Sequence, residues 1–410
     1  MVTHTITLST LMAYLALVSS ACEKREHTMI YFDNSATTQA RPEVLATYQQ
    51  VSEKIWGNPS SLHKLGETAW NLLEQTRTQI AKTFGVQPGE ILFTSGGSEG
   101  DNWVIKGTAL AKQKFGKHII TSSVEHAAVR NAMQSLEKLG FEVTYLPVDK
   151  EGRVNPADVK AALRKDTILV SIMAVNNEVG TIQPIKEIGA ILKDYPTVHF
   201  MVDAVQAIGK GLDDLVFSER VDFATFSGHK FHAPRGTGFI YKRAGRKLAP
   251  LIDGGGQERG LRGGTENTPG NAAMARAIRL MKEQEATDVA NEQAVRKAIY
   301  DHISQFDHVE VFSGLGAGFA PHVLTFAIVG VRGETIVHAF EEHDIYISTT
   351  SACSSKKHSE ASTLAAMKVP DNVATSAVRV SLGDQNTLAD AEEFNRVFDQ
   401  LYAGFKKIID

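Results

Sequence analysis

Cysteine is scarce in this chain, since only Cys22 and Cys353 occur among 410 residues. So few cysteines exclude a disulfide framework, and they also exclude a zinc or iron–sulfur site built from cysteine ligands. We expect no resident metal. A single thiol in the body of the chain fits a reducing compartment, and the expected location is therefore cytoplasmic.

The sequence also lacks a strong charge of one sign and a long hydrophobic run. Its formal net charge is −4, so neither nucleic acid nor an anionic membrane is expected as a partner. The apolar run at residues 8–18 is too short to span a bilayer. It lies within residues 1–28, which lack the basic start of a secretory signal. We interpret residues 1–28 as a leader or upstream extension outside the fold, with a functional signal peptide as the alternative.

The pattern of the remaining chain predicts two domains, because 410 residues exceed what one hydrophobic core usually supports. Between about residues 60 and 245, helical patterns alternate with short apolar runs, which predicts an α/β domain with a mainly parallel central sheet. After a glycine-rich loop at residues 254–264, a long helical pattern and shorter strand-like runs predict a smaller α+β unit. We assign residues 38–285 to the large domain, and residues 29–37 with 286–410 to the small one.

Polar residues that can carry chemistry follow four of the apolar runs. Asp203 closes one run, Lys230 follows another, and His126 and Asn177 follow two more. In open α/β sheets ligands lie beyond the carboxyl ends of the strands. We therefore expect an acid, a lysine, a histidine and an amide at one edge of the sheet.

This set of residue types is what a pyridoxal phosphate (PLP) site needs. A lysine holds the coenzyme as a Schiff base, and an anion keeps the pyridine nitrogen protonated so that the ring accepts electrons. An imidazole can stack on the ring. The stretch at residues 95–99 begins a helical pattern, and its backbone N–H groups can bind the phosphate. Taken singly, that turn is also typical of a plain helix cap. A single lysine at this position is likewise typical of a solvated surface charge.

Blocks of sequence spread over nearly the whole chain resemble the cysteine desulfurases, which are class V aminotransferase-like PLP enzymes of fold type I. The matching blocks are residues 31–38, 57–63, 175–180, 203–206, 227–230, 254–260, 351–353 and 379–383. Residues 97–100, 231–234 and 356–359 depart from the common family pattern, which leaves the identity of the partner open.

The resemblance implies a role for each matching residue. Lys230 corresponds to the Schiff-base lysine, Asp203 to the partner of the pyridine nitrogen, and His126 to the stacking histidine, which also relays protons. Arg379 corresponds to the residue that binds the substrate carboxylate. Gln206 and Asn177 correspond to contacts of the ring oxygen, and Asn177 also lies near the substrate. Gly97, Ser98, Ser227 and His229 correspond to contacts of the phosphate. Thr265 corresponds to a contact with the phosphate of a neighbouring subunit, which implies a homodimer.

Cys353 distinguishes between the activities of this family. A lone cysteine is more often an inert small hydrophobe, but the neighbours of Cys353 are small, polar and basic, which favours a reactive thiol. Together with the resemblance, this implies that L-cysteine is converted to L-alanine and that the sulfur passes to Cys353 as a persulfide. The acceptor would be an iron–sulfur scaffold or a tRNA-thiolating enzyme.

Other functions remain open at this stage. Selenocysteine lyase does not need the thiol, and an aminotransferase is disfavoured by Cys353. A sulfur-relay docking protein without catalysis is disfavoured by the intact set of Lys230, Asp203 and His126.

Overall fold

The computed structural model describes residues 29–350 and 362–409. In chain order the strands are β1 (Ile30–Tyr31), β2 (Ile91–Thr94), β3 (His118–Ser122), β4 (Glu142–Leu146), β5 (Thr167–Ser171), β6 (His199–Asp203), β7 (Phe223–Ser227), β8 (Gly238–Lys242), β9 (Val309–Val311), β10 (Val323–Ile328), β11 (Ile345–Tyr346), β12 (Ser348–Thr349) and β13 (Ala377–Ser381). The helices are α1 (Pro42–Lys54), α2 (Lys64–Thr83), α3 (Gly97–Lys112), α4 (Ala127–Glu137), α5 (Pro156–Ala162), α6 (Ile185–Leu192), α7 (Asp213–Val216), α8 (Gln257–Gly260), α9 (Thr268–Ile303), α10 (Gly333–Glu341), α11 (Thr363–Ala366), α12 (Asp371–Ala374) and α13 (Leu388–Ile409). Short 3-10 turns cover Pro88–Glu90 and Gly228–Lys230.

The central sheet has seven strands in the order β2-β8-β7-β6-β5-β3-β4. Strands β3 to β7 pair in parallel, whereas β8 is antiparallel to both of its neighbours. Strands β5, β6 and β7 are buried along their whole length, as expected when helices cover both faces of a parallel sheet. The prediction of an α/β fold with a mainly parallel sheet is confirmed.

Alternate residues of the central strands pack into separate hydrophobic cores. On β6, Phe200 and Val202 belong to one core, while Met201 belongs to the core on the opposite face. This is the two-residue period of a strand that is covered on both sides. The carboxyl ends of the parallel strands are thereby held at one rigid edge.

A second sheet, in the order β12-β13-β10-β9, is antiparallel and has its own core. The first described residues lie against this unit, because β1 pairs in parallel with β11 and Asp33 bridges to Ser381. Ile30 and Phe32 are buried in the same core. From there the chain crosses to the central sheet.

Helix α9 connects the two cores without interruption. Its first half contributes Ala273 and Ile278 to the core of the central sheet, and its second half contributes Val295 and Ile299 to the core of the smaller sheet. The boundary proposed at residues 285 and 286 falls inside this helix. In the described ranges no helix is both long and apolar enough to cross a membrane.

The glycine-rich loop is fixed by one buried ion pair. Glu258 lies in the left-handed region with φ 43° and accepts hydrogen bonds from both terminal nitrogens of Arg77, at 2.8 and 2.9 Å. The same carboxylate accepts the backbone N–H of Phe93 at 2.9 Å. The side chains of Arg77 and Glu258 are only 3% and 2% exposed, so loss of Arg77 would leave the carboxylate of Glu258 buried without its paired cation.

We expect Arg77→Met to lower the free energy of unfolding by about 3 to 5 kcal/mol, because the carboxylate of Glu258 would remain buried without its cation. Urea unfolding followed by circular dichroism measures the change. Arg396→Met is the matched control, since the Arg396–Glu393 pair is exposed and solvent screening should leave it little effect on stability. Equal effects of the two substitutions would contradict this account.

Candidate active site

The carboxyl ends of β3, β6 and β7 bring together three of the predicted site residues. Asp203 is the last residue of β6, Lys230 ends the turn that follows β7, and His126 caps helix α4 after β3. The charges of His126 and Lys230 both act on Asp203. The structure thus places these three groups at one edge of the sheet.

Asp203 is a buried carboxyl group, and a nearby cation would stabilise its ionised form. Its side chain is 5% exposed, and its Oδ1 accepts the backbone N–H of Val205 at 3.0 Å. Burial raises the pKa of Asp203, while the charges of His126 and Lys230 lower it in part. A further cation beside this carboxyl group would favour its ionised form.

The amine of Lys230 lies against the backbone of an N-terminal arm, which we define as residues 33–38. Its Nζ donates to the carbonyl oxygen of Ser35 and, at 2.9 Å, to that of Ala36. The backbone N–H of Ser35 in turn donates to Oγ of Ser381 at 2.9 Å. The position of the amine therefore depends on a contact with the smaller sheet.

The imidazole of His126 has a defined hydrogen-bond polarity. Its Nδ1 accepts the backbone N–H of Ala128 at 3.2 Å, so in the neutral ring the hydrogen must be on Nε2. Desolvation within the cleft lowers the pKa of His126, opposed by Asp203 and assisted by Lys230 and Arg130. The residue as a whole is exposed, as a group that stacks on a ligand requires.

The start of helix α3 forms a cradle of the kind that binds phosphate. A Cβ atom at Gly97 would lie 2.7 Å from a methyl group of Val205, so only glycine fits there. Ser227 adjoins this turn, because its Oγ would lie 3.5 Å from a Cβ atom at Gly96. Ser98 is exposed in the first turn, where helical N–H groups have no partner within the helix.

The predicted cofactor contacts Gln206, His229 and Thr265 do not all lie in one pocket. Gln206 donates through Nε2 to the carbonyl oxygen of Ser35 at 3.0 Å and lines the same pocket as Lys230. His229 contacts Oγ1 of Thr37 at 3.1 Å, and burial lowers the pKa of His229 to about 4. Thr265 lines a different cavity, so within this chain it does not join the Lys230 pocket.

Arg379 joins Asn177, the other predicted substrate residue, to the arm. Its guanidinium donates to the carbonyl oxygen of Asn177, to Oδ1 of Asp33 and to Oγ of Ser348, each at 2.9 Å. Its Nε is buried and has no partner among the residues that the structure describes. The guanidinium thus retains one unused donor, while a different nitrogen of the same group contacts the half-buried Asn177.

Three comparisons with known proteins bear on this arrangement. Residues 30–394 match the family model described as aminotransferase class-V. A NifS/IcsS protein homolog of Lactobacillus delbrueckii subsp. bulgaricus is 62% identical over 93% of this chain and 99% of that protein. Cysteine desulfurase IscS of Dictyoglomus turgidum is 41% identical over 94% of this chain and 96% of its own length. A solved structure described as a NifS-like protein is 37% identical, with a TM-score of 0.85 over 92% of this chain and 100% of that chain.

The chain belongs to the cysteine desulfurase family. Its members are class-V, PLP-dependent enzymes of fold type I, so the predicted family, fold and cofactor are confirmed. The individual roles of the site residues stay predictions. Cys353 lies outside the described residues.

The residues at the sheet edge fit PLP on chemical grounds. A buried acid that lacks a full cationic partner suits a protonated pyridine nitrogen, and Lys230 offers an amine for the aldehyde. The turn at Gly97 offers N–H groups to the phosphate, and only glycine leaves it open.

Sequence reasoning missed the contacts made by Ser35, Ala36 and Asp33. Two of them act through backbone carbonyl oxygens, which every residue carries, so residue type gives no signal. The block at residues 31–38 that resembles the family is the signal in the sequence that points to the arm.

Glu125, next to His126, carries a second buried carboxyl group. Its Oε1 accepts from Oγ of Ser122 and, at 3.1 Å, from the backbone N–H of Met173, and burial raises the pKa of Glu125 to about 8. The unfolded chain releases this proton near pH 4.5. Between these values the folded state binds more protons, so this contribution to stability is present at low pH and is lost as the pH rises.

We expect Glu125→Gln to be less stable than the wild type at pH 5.5 or so, because the amide adds a buried donor. The difference should shift in favour of the variant by at least about 1 kcal/mol by roughly pH 8.5. Urea unfolding at a series of pH values measures it. Glu310→Gln, at an exposed strand position, should show no such trend, and a constant difference for Glu125→Gln would refute the assignment.

Proposed function

We propose that the protein takes sulfur from L-cysteine, holds it as a persulfide on Cys353 and releases L-alanine. The observation that carries this proposal is the placement of Asp203, His126 and Lys230 at the carboxyl ends of three parallel strands. A protein that acted only by docking would have no use for a buried acid opposed to an amine and an imidazole.

PLP, when bound, supplies an electron sink that weakens the bonds at Cα of an amino acid. We propose that Asp203 pairs with its pyridine nitrogen, that Gln206 and Asn177 donate toward its ring oxygen, and that His126 stacks on its ring. Gly97, Ser98, Ser227 and His229 would hold the phosphate. Thr265 would serve the phosphate of a second subunit in a homodimer.

Lys230 is proposed to move the substrate proton. Its Nζ donates to two backbone carbonyl oxygens of the arm, and these two contacts hold the amine at the pocket that Gln206 also lines. Released from the cofactor, the amine accepts the Cα proton of cysteine and later returns it.

Arg379 is proposed to bind the substrate carboxylate. A planar guanidinium suits two parallel hydrogen bonds to a carboxylate, and the buried Nε of Arg379 lacks a partner in the described part of the chain. Asp33 already neutralises part of its charge, so the substrate would bind next to an existing ion pair and not to an isolated cation.

The thiolate of Cys353 is proposed to attack the sulfur of the substrate. A sulfur–sulfur bond forms while the Cβ–S bond breaks, and its electron pair stays on Cβ, which is then protonated to give alanine. Cys353 follows Thr350 by three positions in the sequence. Thr349, one residue earlier, pairs with Val378 next to Arg379, and this proximity supports the role.

The sulfur acceptor is proposed to be a protein, either an iron–sulfur scaffold or a tRNA-thiolating enzyme, in the cytoplasm. A persulfide-transfer assay with labelled cysteine against both classes of acceptor distinguishes them. Transfer of the label to just one class would identify that class as the acceptor. Transfer to neither class would contradict this part of the proposal.

Cys353→Ser should retain PLP and lose at least about 100-fold in the production of alanine and sulfide from cysteine, because the nucleophile is gone. Mass spectrometry of the cysteine-treated wild type should find the added sulfur on the peptide that contains Cys353. Cys22→Ser is the matched control, as Cys22 is the other cysteine of the sequence, and it should behave as the wild type. Full activity of Cys353→Ser would refute the proposal.

His126→Asn should slow turnover by about 10² to 10⁴, the usual contribution of a positioned acid–base group. Asparagine is a good N-cap, so helix α4 should keep its start and the unfolding midpoint should change little. Steady-state alanine formation and urea unfolding together measure the two effects. A variant that is unstable but fully active per folded molecule would show that His126 is only a helix cap.

A further inference from the structure

His322 is a buried histidine beside the active site that the proposed function does not use. It directly precedes β10 and is 2% exposed. It lines the same pocket as Lys230 and Gln206. Its backbone carbonyl oxygen accepts the N–H of Leu382 at 2.8 Å, so the residue is anchored in the smaller sheet while its ring faces the cofactor side.

The hydrogen bonds around Gln206 fix the orientation of its amide. The carbonyl oxygen of Ser35 can only accept, so the atom of Gln206 that lies 3.0 Å from it must be the NH₂ nitrogen. The opposite atom is therefore the carbonyl oxygen, and it lies 3.1 Å from Nε2 of His322. Consequently Nε2 of His322 carries the hydrogen and donates it to Gln206.

The surroundings keep this ring neutral. Burial lowers the pKa of His322 well below its usual range, and the charges of Lys210, Arg296, Arg379 and Lys230 act in the same direction. In a neutral ring with Nε2 protonated, Nδ1 is a bare acceptor, and it is buried without a partner among the described residues. A residue that merely filled space would not need a nitrogen there, because an unpaired buried polar atom is destabilising.

We propose that His322 is a positioning residue, which holds the carbonyl oxygen of Gln206 and so directs the NH₂ group of Gln206 toward Ser35 and the ring oxygen of bound PLP. This inference rests on the proposed function, in which Gln206 donates to that oxygen. Without His322, the amide of Gln206 could turn and present its oxygen to the cofactor, where two acceptors would repel each other.

The test is the protonation midpoint of the Lys230-linked cofactor, read from its visible absorbance as a function of pH without cysteine. A hydrogen-bond donor at the ring oxygen of PLP, such as the NH₂ group of Gln206, stabilises the negative charge on that oxygen. The oxygen then attracts the proton on the nitrogen that links Lys230 to the cofactor less strongly, so this nitrogen loses its proton at a lower pH. His322→Phe keeps the ring and removes the N–H donor, so the midpoint should rise by about 0.5 to 1 pH unit, the equivalent of one hydrogen bond. His322→Leu serves as a smaller replacement in case the phenyl ring does not fold.

A double-mutant cycle distinguishes positioning from a general structural effect. Gln206→Leu should raise the midpoint at least as much, and adding His322→Phe to it should cause no further rise, because His322 acts through Gln206. His322→Gln retains an N–H donor and should restore a midpoint close to that of the wild type.

An unchanged midpoint in folded His322→Phe or His322→Leu, or additive shifts in the cycle, would overturn this inference and leave the proposed function intact. Failure of the wild type to develop the visible band with PLP would overturn both. A midpoint shift with alanine formation still dependent on Cys353 supports both.

Discussion

The active site depends on a carboxylate that the fold places where water cannot solvate it. Removing an isolated charge from water is costly, and proteins compensate by pairing it with a cation or by protonating it. Asp203 ends a fully buried strand, and the groups that lower its pKa are His126, the backbone N–H of Val205 and Lys230. A protonated pyridine nitrogen is the kind of cation that completes this set.

Two neighbouring carboxyl groups help to determine which acid in this region is ionised. Burial and the charge of Asp203 raise the pKa of Asp101 well above its usual range, and burial raises that of Glu125 to about 8. Asp101 also accepts a hydrogen bond from Thr225, which pairs with Asp203 across β6 and β7. Three buried acids in one region cannot all be ionised, and the one that faces Lys230 and His126 is best placed to carry the charge.

The sequence predicted the parts of the fold that local pattern determines. The runs near residues 119, 200 and 223 became β3, β6 and β7, and their carboxyl ends carry His126, Asp203 and Lys230. The long helical pattern after the glycine-rich loop became helix α9, whose second half buries its apolar residues against a different core. Its continuation to Ile303 follows from packing against the smaller sheet, which no local pattern reveals.

The contacts that orient the site could not be predicted, since they join residues far apart in the chain. Arg379 donates to Asp33 across 346 positions, and Gln206 meets His322 across 116. The first contact joins β13 of the smaller sheet to the arm that lies against it, and the second depends on where the smaller sheet lies against the central one. Residue type indicated what each group can do, whereas only the tertiary structure shows which partner leaves which atom available.

The arm at residues 33–38 shows why the smaller sheet matters for chemistry at the larger one. Asp33 binds Arg379, the carbonyl oxygens of Ser35 and Ala36 bind Lys230, and Thr38 accepts and donates hydrogen bonds at the turn of residues 229–232. The arm is itself held by Ser381 of β13. A displacement of the smaller sheet would therefore act on the side chains of Arg379 and Lys230 together, because the arm binds both of them.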